Sequence, residues 1–189
     1  MERVTEQPSK YNNLDKMTVK ELVTAINSED KLVALAIEKE LPLIIKLIDA
    51  IEGQLRNGGR IFYVGAGTGG RLSVLDVIEL VNTYGIEPGI FVSVLAGGVE
   101  NLVLALEEKE DDEDEGWKML QDYHVSDKDI VVGVSASGTT PFVLSTLKKC
   151  KENGILCGSI VHNPNSPISI YSDYPKEVVM GPEFVTGST

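Results

Sequence analysis

The sequence predicts an α/β domain: a doubly wound parallel sheet of about five strands, preceded by N-terminal helices. Three observations predict it. Short apolar runs recur at Arg60–Val64, Ile90–Leu95, Asp129–Val134, Ile155–Val161 and, more weakly, Glu177–Met180. Stretches of helical periodicity separate these runs. The first and third runs end in small-residue turns, Gly65-Ala-Gly-Thr-Gly-Gly70 and Ser135-Ala-Ser-Gly-Thr-Thr140. Near-continuous apolar strands alternating with helices imply a parallel sheet covered on both faces, with right-handed crossovers.

Ahead of the first strand, residues 1–16 read as a polar arm that packs on something larger or frays. Met17–Ile26 reads as a short helix, with Asp15 or Thr18 available as caps. Ser28 opens a longer helix, whose apolar face carries Leu32, Leu35, Leu43, Leu47 and Ile51. Pro42 is expected to kink or split it, and Asn57-Gly58-Gly59 to end it. Residues 1–52 are accordingly assigned to an arm and helices that pack on the core or on a partner subunit. Residues 53–189 form the ligand-binding domain.

Composition narrows the function classes. The 189 residues are 42 % apolar, enough for one ordinary core. No run approaches the ~20 uninterrupted apolar residues of a membrane helix. The N-terminus lacks a signal-peptide core, and the two cysteines, Cys150 and Cys157, have no metal-like spacing. These features fit a reducing cytoplasm. Seventeen basic residues against 29 acidic ones give a net charge of −12, which argues against a nucleic-acid partner. Much of the excess lies in Glu107–Glu115, eight acids and one lysine in nine residues. Such a run reads first as a solvated helix face or loop.

The turns carry the chemistry. In sheets of this kind ligands bind at the carboxyl ends of the strands. Gly65, Gly67 and Gly70 match G-x-G-x-x-G, so a dinucleotide site is one reading. That reading wants an acid ending the second strand, ~20 residues on. Here the strand ends in Leu95-Ala-Gly-Gly98. A tight turn without ligand is the plainer alternative. In the other turn, Ser135, Ser137, Thr139 and Thr140 surround Gly138, and Pro141 suits the first helical position. One hydroxyl would suffice to cap a helix. Four make a neutral phosphate cradle. No G-K-[ST] is present, which argues against nucleotide hydrolysis.

Glu79 shares a helical face with Leu72 and Leu75. It is either a desolvated carboxyl suited to general acid catalysis or an exposed acid at a helix edge. Glu110 cannot be singled out of its acidic run by pattern. His124 and His162 read as structural or surface residues, and Trp117 as a packing residue.

The ordered set Thr5-Glu6-Gln7, Ile26-Asn-Ser-Glu-Asp30, Tyr63-Val-Gly-Ala-Gly-Thr68, Gly70-Arg71-Leu72, Ala96-Gly97-Gly98, Glu110-Asp111, Ala136-Ser137-Gly138, Thr140-Pro141, Gly181-Pro182-Glu183 and Thr186-Gly187-Ser188 resembles the N-acetylmuramic acid 6-phosphate etherases. These are lyases of the sugar-isomerase (SIS) fold, with shared ancestry to glucokinase regulatory protein. The resemblance runs from the arm to the end of the chain. It implies cleavage of the lactyl ether with water to give N-acetylglucosamine 6-phosphate and D-lactate, by elimination and hydration. It implies no metal and no cofactor, and a role in amino-sugar catabolism and peptidoglycan recycling. The catalytic carboxylates fall on Glu79 and Glu110. The phosphate loop falls on Ser137, Gly138 and Thr140, with Ser135 an extra hydroxyl. Thr68 and its neighbours Gly67 and Gly69 line the sugar side.

Gly69 stands where the family usually has serine, and Thr139 where it usually has arginine. The segment around Glu79 is more apolar than usual. The chain also ends at Thr189, within a motif that the family continues into further helices. The alternatives are a non-catalytic sugar-phosphate sensor and an aldose–ketose isomerase. An unbroken helix would carry Glu79 roughly 13 Å from Gly70. Either the helix breaks early or a second subunit supplies the partner carboxylate, and the resemblance implies the second, a homodimer with sites at the interface as in other SIS proteins.

Overall fold

The computed structural model describes residues 3–104 and 106–187. Five parallel strands carry the fold: β1 (Ile61–Gly65), β2 (Phe91–Leu95), β3 (Ile130–Val134), β4 (Leu156–Val161) and β5 (Tyr174–Glu177). Their order across the sheet is β2-β1-β3-β4-β5. This doubly wound order places a topological switch point between β1 and β3. Gly65 and Val134, the last residues of those strands, are register partners.

The first four strands lie within a residue or two of the sequence reading. β5 begins three residues earlier than expected. Its residues include Pro175 and Lys176, which break the apolar run that marks a buried strand. As an edge strand β5 tolerates both.

The helices are α1 (Val19–Arg56), α2 (Gly67–Tyr84), α3 (Glu115–Asp122), α4 (Pro141–Glu152) and the short α5 (Pro167–Ile170). Thr18 starts α1 with a full capping box. Its hydroxyl accepts from Glu21 N–H at 3.3 Å, and the Glu21 carboxylate accepts from Thr18 N–H at 2.7 Å. Two helices were expected here and one is found. Ser28 does not cap a second helix, because its hydroxyl donates back to Thr24 O at 2.8 Å. The helix also runs through Pro42. Asn57 ends it, followed by Gly58 at φ +77°.

Alternate residues of each strand face opposite sides of the sheet. Phe62, Val64, Val131, Phe142 and Leu147 belong to one core, formed with α3 and α4. Ile61, Ile130 and Val132 face Leu47 of α1 in a second core. Tyr63 lies on that second side, beside Asp76 of α2. Burial and the neighbouring carboxylate push its phenol up to about 12. The two sides are unequally covered. Leu72, Leu75 and Ile78 of α2 and Leu35, Ile45 and Ile48 of α1 remain exposed.

At the end of the sheet away from the turns, buried Asp129 clasps three segments. It accepts from Arg60 N–H at 2.8 Å, from the Arg60 guanidinium at 3.0 and 3.1 Å, and from Ser126 N–H at 2.8 Å. Burial opposes its charge, yet the arginine and the two backbone donors together hold the carboxyl below its ordinary value. A depressed carboxyl stabilises the fold above its unfolded value of ~3.9, and that contribution is lost as pH falls through the folded value. Asp129→Asn is expected to cost about 2 kcal/mol, less than a fully buried pair, because the Arg60 side chain is 31 % exposed. Denaturant titrations from pH 7 to pH 2 check this, since the variant loses part of the acid-side decline.

Candidate active site

The turn after β1 is shaped by backbone contact. A Cβ on Gly70 would lie 2.7 Å from the Gly65 carbonyl, and one on Gly65 would lie 2.7 Å from Gly70 Cα. Two of the three motif glycines therefore serve the close packing of β1 against α2. Gly67 does something else. It has φ +53°, and a Cβ there would lie 2.5 Å from Glu110 Oε1. The third glycine leaves room for a carboxylate.

Glu110 reaches that position because residues 97–104 and 106–115 fold back over the turn. Arg71, in the first turns of α2, donates to Leu102 O at 3.1 Å and Leu104 O at 2.9 Å. Gly97 N–H donates to Glu115 Oε2 at 3.2 Å, and Lys109 Nζ lies 3.5 Å from Glu115 Oε1. The acidic run is thus partly a 3-10 helix, Glu107–Asp111, and partly the start of α3. Glu108, Asp111, Glu113 and Asp114 face solvent, while Glu110 is half-buried against Gly67.

The turn after β3 is a closed hydroxyl cluster. Ser135 Oγ is 2.8 Å from Thr140 Oγ1 and 3.4 Å from Ser137 Oγ, and accepts from Gly138 N–H at 3.1 Å. Ser137 Oγ accepts from Thr139 N–H at 3.2 Å and from the Thr139 hydroxyl at 3.1 Å. Thr140 is the N-cap of α4, yet its hydroxyl makes no capping bond. Simple capping therefore does not account for the cluster. Gly138 has φ +72°, which a side chain would strain. The result is a ring of preorganised neutral donors at a helix N-terminus, suited to an anion.

Both turns open into one cavity of about 1010 Å³. Gly67, Thr68, Gly69, Glu110, Ser135, Ser137, Thr139 and Thr140 all line it. Gly138 lies behind them, against Ser166. Sequence reasoning gave no site role to further ionisable residues that line it, among them Arg3, Glu6, Arg71, Asp111, His162 and Glu183. His162 Nδ1 is 3.0 Å from Val178 O, so Nδ1 carries a proton there and Nε2 is the other ring nitrogen. The arm packs on the core, with Thr5 bonded to Asn163 through both its N–H and its hydroxyl.

Glu79 is elsewhere. α2 is unbroken from Gly67, so Glu79 lies roughly 18 Å along its axis. It is exposed, accepts a hydrogen bond from Thr83 Oγ1 at 3.4 Å, and does not line the cavity. Of the two readings of Glu79, the exposed acid at a helix edge is the one found in the single chain, because the side chains sharing its face, Leu72 and Leu75, are themselves exposed.

Residues 43–151 match the family model described as glucokinase regulatory protein N-terminal SIS domain. The chain is 48 % identical over 187 residues to an N-acetylmuramic acid 6-phosphate etherase from Bacteroides thetaiotaomicron, covering 99 % of this chain and 68 % of the relative. It is 49 % identical over 185 residues to one from Christiangramia forsetii, covering 98 % and 68 %. The chain belongs to the N-acetylmuramic acid 6-phosphate etherase family.

Among solved structures it resembles a phosphoheptose isomerase from Francisella tularensis, with TM-score 0.68, 17 % identity, and 90 % and 89 % of the two chains covered. A phosphoheptose isomerase from Neisseria gonorrhoeae gives 0.64 at 17 % identity, covering 87 % and 86 %. At these identities the likeness establishes the SIS fold, which agrees with the fold read from the etherase-like sequence. No helix among the described residues is long and apolar enough to cross a membrane.

Within this family fold, Gly67→Ala tests the seat of Glu110. The methyl group competes with the Glu110 carboxylate and strains a positive φ. The variant is expected to lose at least tenfold in turnover, with about 1 kcal/mol of stability lost to the backbone conformation. Paired kinetics and thermal unfolding separate the two effects.

Proposed function

We propose that the chain is a carbon–oxygen lyase that cleaves the D-lactyl ether of N-acetylmuramic acid 6-phosphate with water, giving N-acetylglucosamine 6-phosphate and D-lactate. One observation carries this beyond family membership. The Glu110 carboxylate sits over Gly67 and faces the same cavity as the Ser135–Thr140 hydroxyl cluster. The cluster suits the phosphate, and the carboxylate lies on the side left for the sugar.

In the open-chain sugar, Glu110 takes the proton from C2. The C3–oxygen bond then breaks and lactate departs, accepting a proton from a second carboxyl group. Water adds at C3 of the unsaturated intermediate, deprotonated by that same second group, and C2 is reprotonated. Proton abstraction and donation by placed carboxyl groups are ordinary general acid–base steps. The second group is Glu79, supplied by another copy of the chain. This reading is supported by the distance of Glu79 from the cavity of its own subunit. It is supported also by the exposed apolar side chains Leu72, Leu75 and Ile78 beside it. A homodimer that covers this face would take Glu79 out of bulk solvent and bring it to the partner's cavity. The fit is to a small-molecule sugar phosphate in the cytoplasm, in amino-sugar catabolism.

Incubation with N-acetylmuramic acid 6-phosphate is expected to release D-lactate. Binding of the sugar phosphate without lactate release refutes the lyase. Glu79→Gln is expected to abolish lactate release while C2 proton exchange with solvent persists, as read by deuterium incorporation. Loss of both activities in a folded variant contradicts the division of roles.

Mixing tests the shared site. Glu79→Gln and Glu110→Gln subunits are each inactive alone. Remixed at equal concentration, they are expected to recover about one quarter of wild-type activity, because half the dimers are mixed and each carries one intact site. No recovery despite verified subunit exchange places both carboxylates in one chain.

A further inference from the structure

The arm that precedes α1 contributes nothing to the sheet, yet a buried contact fastens it to the site. Thr5 is 6 % exposed. Its N–H donates to Asn163 Oδ1 at 3.0 Å, and its hydroxyl accepts from Asn163 Nδ2 at 2.9 Å. Asn163 is fully buried, and the same Nδ2 donates to Ser137 O at 3.0 Å. One amide therefore joins the arm to the backbone of the hydroxyl cluster. Farther along, Ser9 N–H donates to Thr186 Oγ1 and Ser9 Oγ donates to Phe184 O, both at 2.7 Å. The Tyr11 ring lies 4.8 Å from that of Phe184. Fixed in this way, the arm presents Arg3 and Glu6 to the cavity.

Charge makes Arg3 matter. The cavity wall carries four carboxylates, Glu6, Glu110, Asp111 and Glu183, against two guanidinium groups, Arg3 and Arg71. Arg71 already spends Nε and one terminal nitrogen on the Leu102 and Leu104 carbonyls. The hydroxyl cluster holds no cation. A phosphate monoester brings about −1.5 to −2 charges at neutral pH. Entering an acid-rich cavity with only neutral donors to meet it, such a group would be repelled. The Arg3 side chain has no hydrogen bond or ion pair among the described residues. Its planar fork of donors matches phosphate geometry.

We propose that the N-terminal arm is a wall of the substrate site, latched through Thr5 and Asn163, and that the Arg3 guanidinium is the counter-charge for the phosphate of the bound sugar. This deepens the sugar-phosphate reading of the cavity and rests on it. Asn163 is a positioning residue: it sets the arm and the Ser137 carbonyl at a fixed spacing, so the cation and the neutral cradle converge on one anion.

The test is calorimetric binding of N-acetylglucosamine 6-phosphate, which has the phosphate, lacks the lactyl carboxylate and needs no turnover. Arg3→Gln is expected to weaken binding by about tenfold or more, the range for a charged hydrogen-bond partner. Arg3→Lys is expected to restore most of the loss. Thr5→Val, which keeps the N–H but removes the hydroxyl acceptor, is expected to weaken binding several-fold with Arg3 intact. Unchanged affinity in Arg3→Gln overturns the proposal. So does an effect seen only with the lactyl-bearing substrate, which would assign Arg3 to the carboxylate. Lactate release is scored on the same preparations. Wild-type protein that binds the sugar phosphate but releases no lactate refutes the etherase reaction and leaves the Arg3 assignment standing. Active protein whose phosphate affinity survives Arg3→Gln does the reverse, and wild-type protein that binds no sugar phosphate overturns both.

Discussion

β1 pairs with β2 on one side and β3 on the other, and the rest of the site depends on that pairing. All five strands are parallel, so every strand delivers its following turn to the same edge of the sheet. The chain leaves β1 toward β2 and leaves β3 toward β4. The two turns therefore diverge and leave a crevice between them. Gly65 and Val134 end in register, which sets the glycine turn and the hydroxyl turn side by side although about seventy residues separate them in sequence. Changing the strand order would part them without altering a single motif residue.

Within the crevice the labour is divided by chemistry. The hydroxyl cluster satisfies itself internally through Ser135, Ser137, Thr139 and Thr140, so its donors are held in place before any ligand arrives. Preorganisation of this kind lowers the ordering cost of binding. The carboxylate belongs to a different segment, carried in by the fold-back of residues 97–104 and 106–115 and clamped by Arg71. On the proposed reading, holding the anion and moving the proton fall to parts of the chain that are anchored independently.

The two faces of the sheet are not equivalent. The α3/α4 side buries a continuous apolar core that includes Phe62, Phe142 and Leu147. On the α1/α2 side the buried set is smaller, and large aliphatic side chains along both helices stay in contact with solvent. Glu79 lies on this incompletely covered side. An apolar surface of that extent is characteristic of proteins that associate. The proposed dimer would use it to bring the second carboxyl to the crevice.

Local pattern was enough for most of the fold. Apolar runs bounded by glycine or hydroxyl turns marked β1 to β4, and local pattern offered Thr18 and Asp15 as caps, of which the structure uses Thr18. Where a local signal had two physical outcomes, only packing chose between them. Ser28 could cap or bond backward, and it bonds backward inside one long α1. Pro175 and Lys176 hid β5, because an edge strand need not be apolar.

The sequence by itself determined the strand-turn-helix units, the neutral hydroxyl-rich turn and the resemblance to the etherases, since each rests on residues close together in the chain. The resemblance had named Glu110 within Glu107–Glu115, but only tertiary structure decided that it sits over Gly67, that Glu79 stays outside its own subunit's cavity, and that the arm lines the cavity. Those outcomes depend on contacts between distant segments, such as Thr5 with Asn163, 158 residues apart. No periodicity or spacing records such a contact.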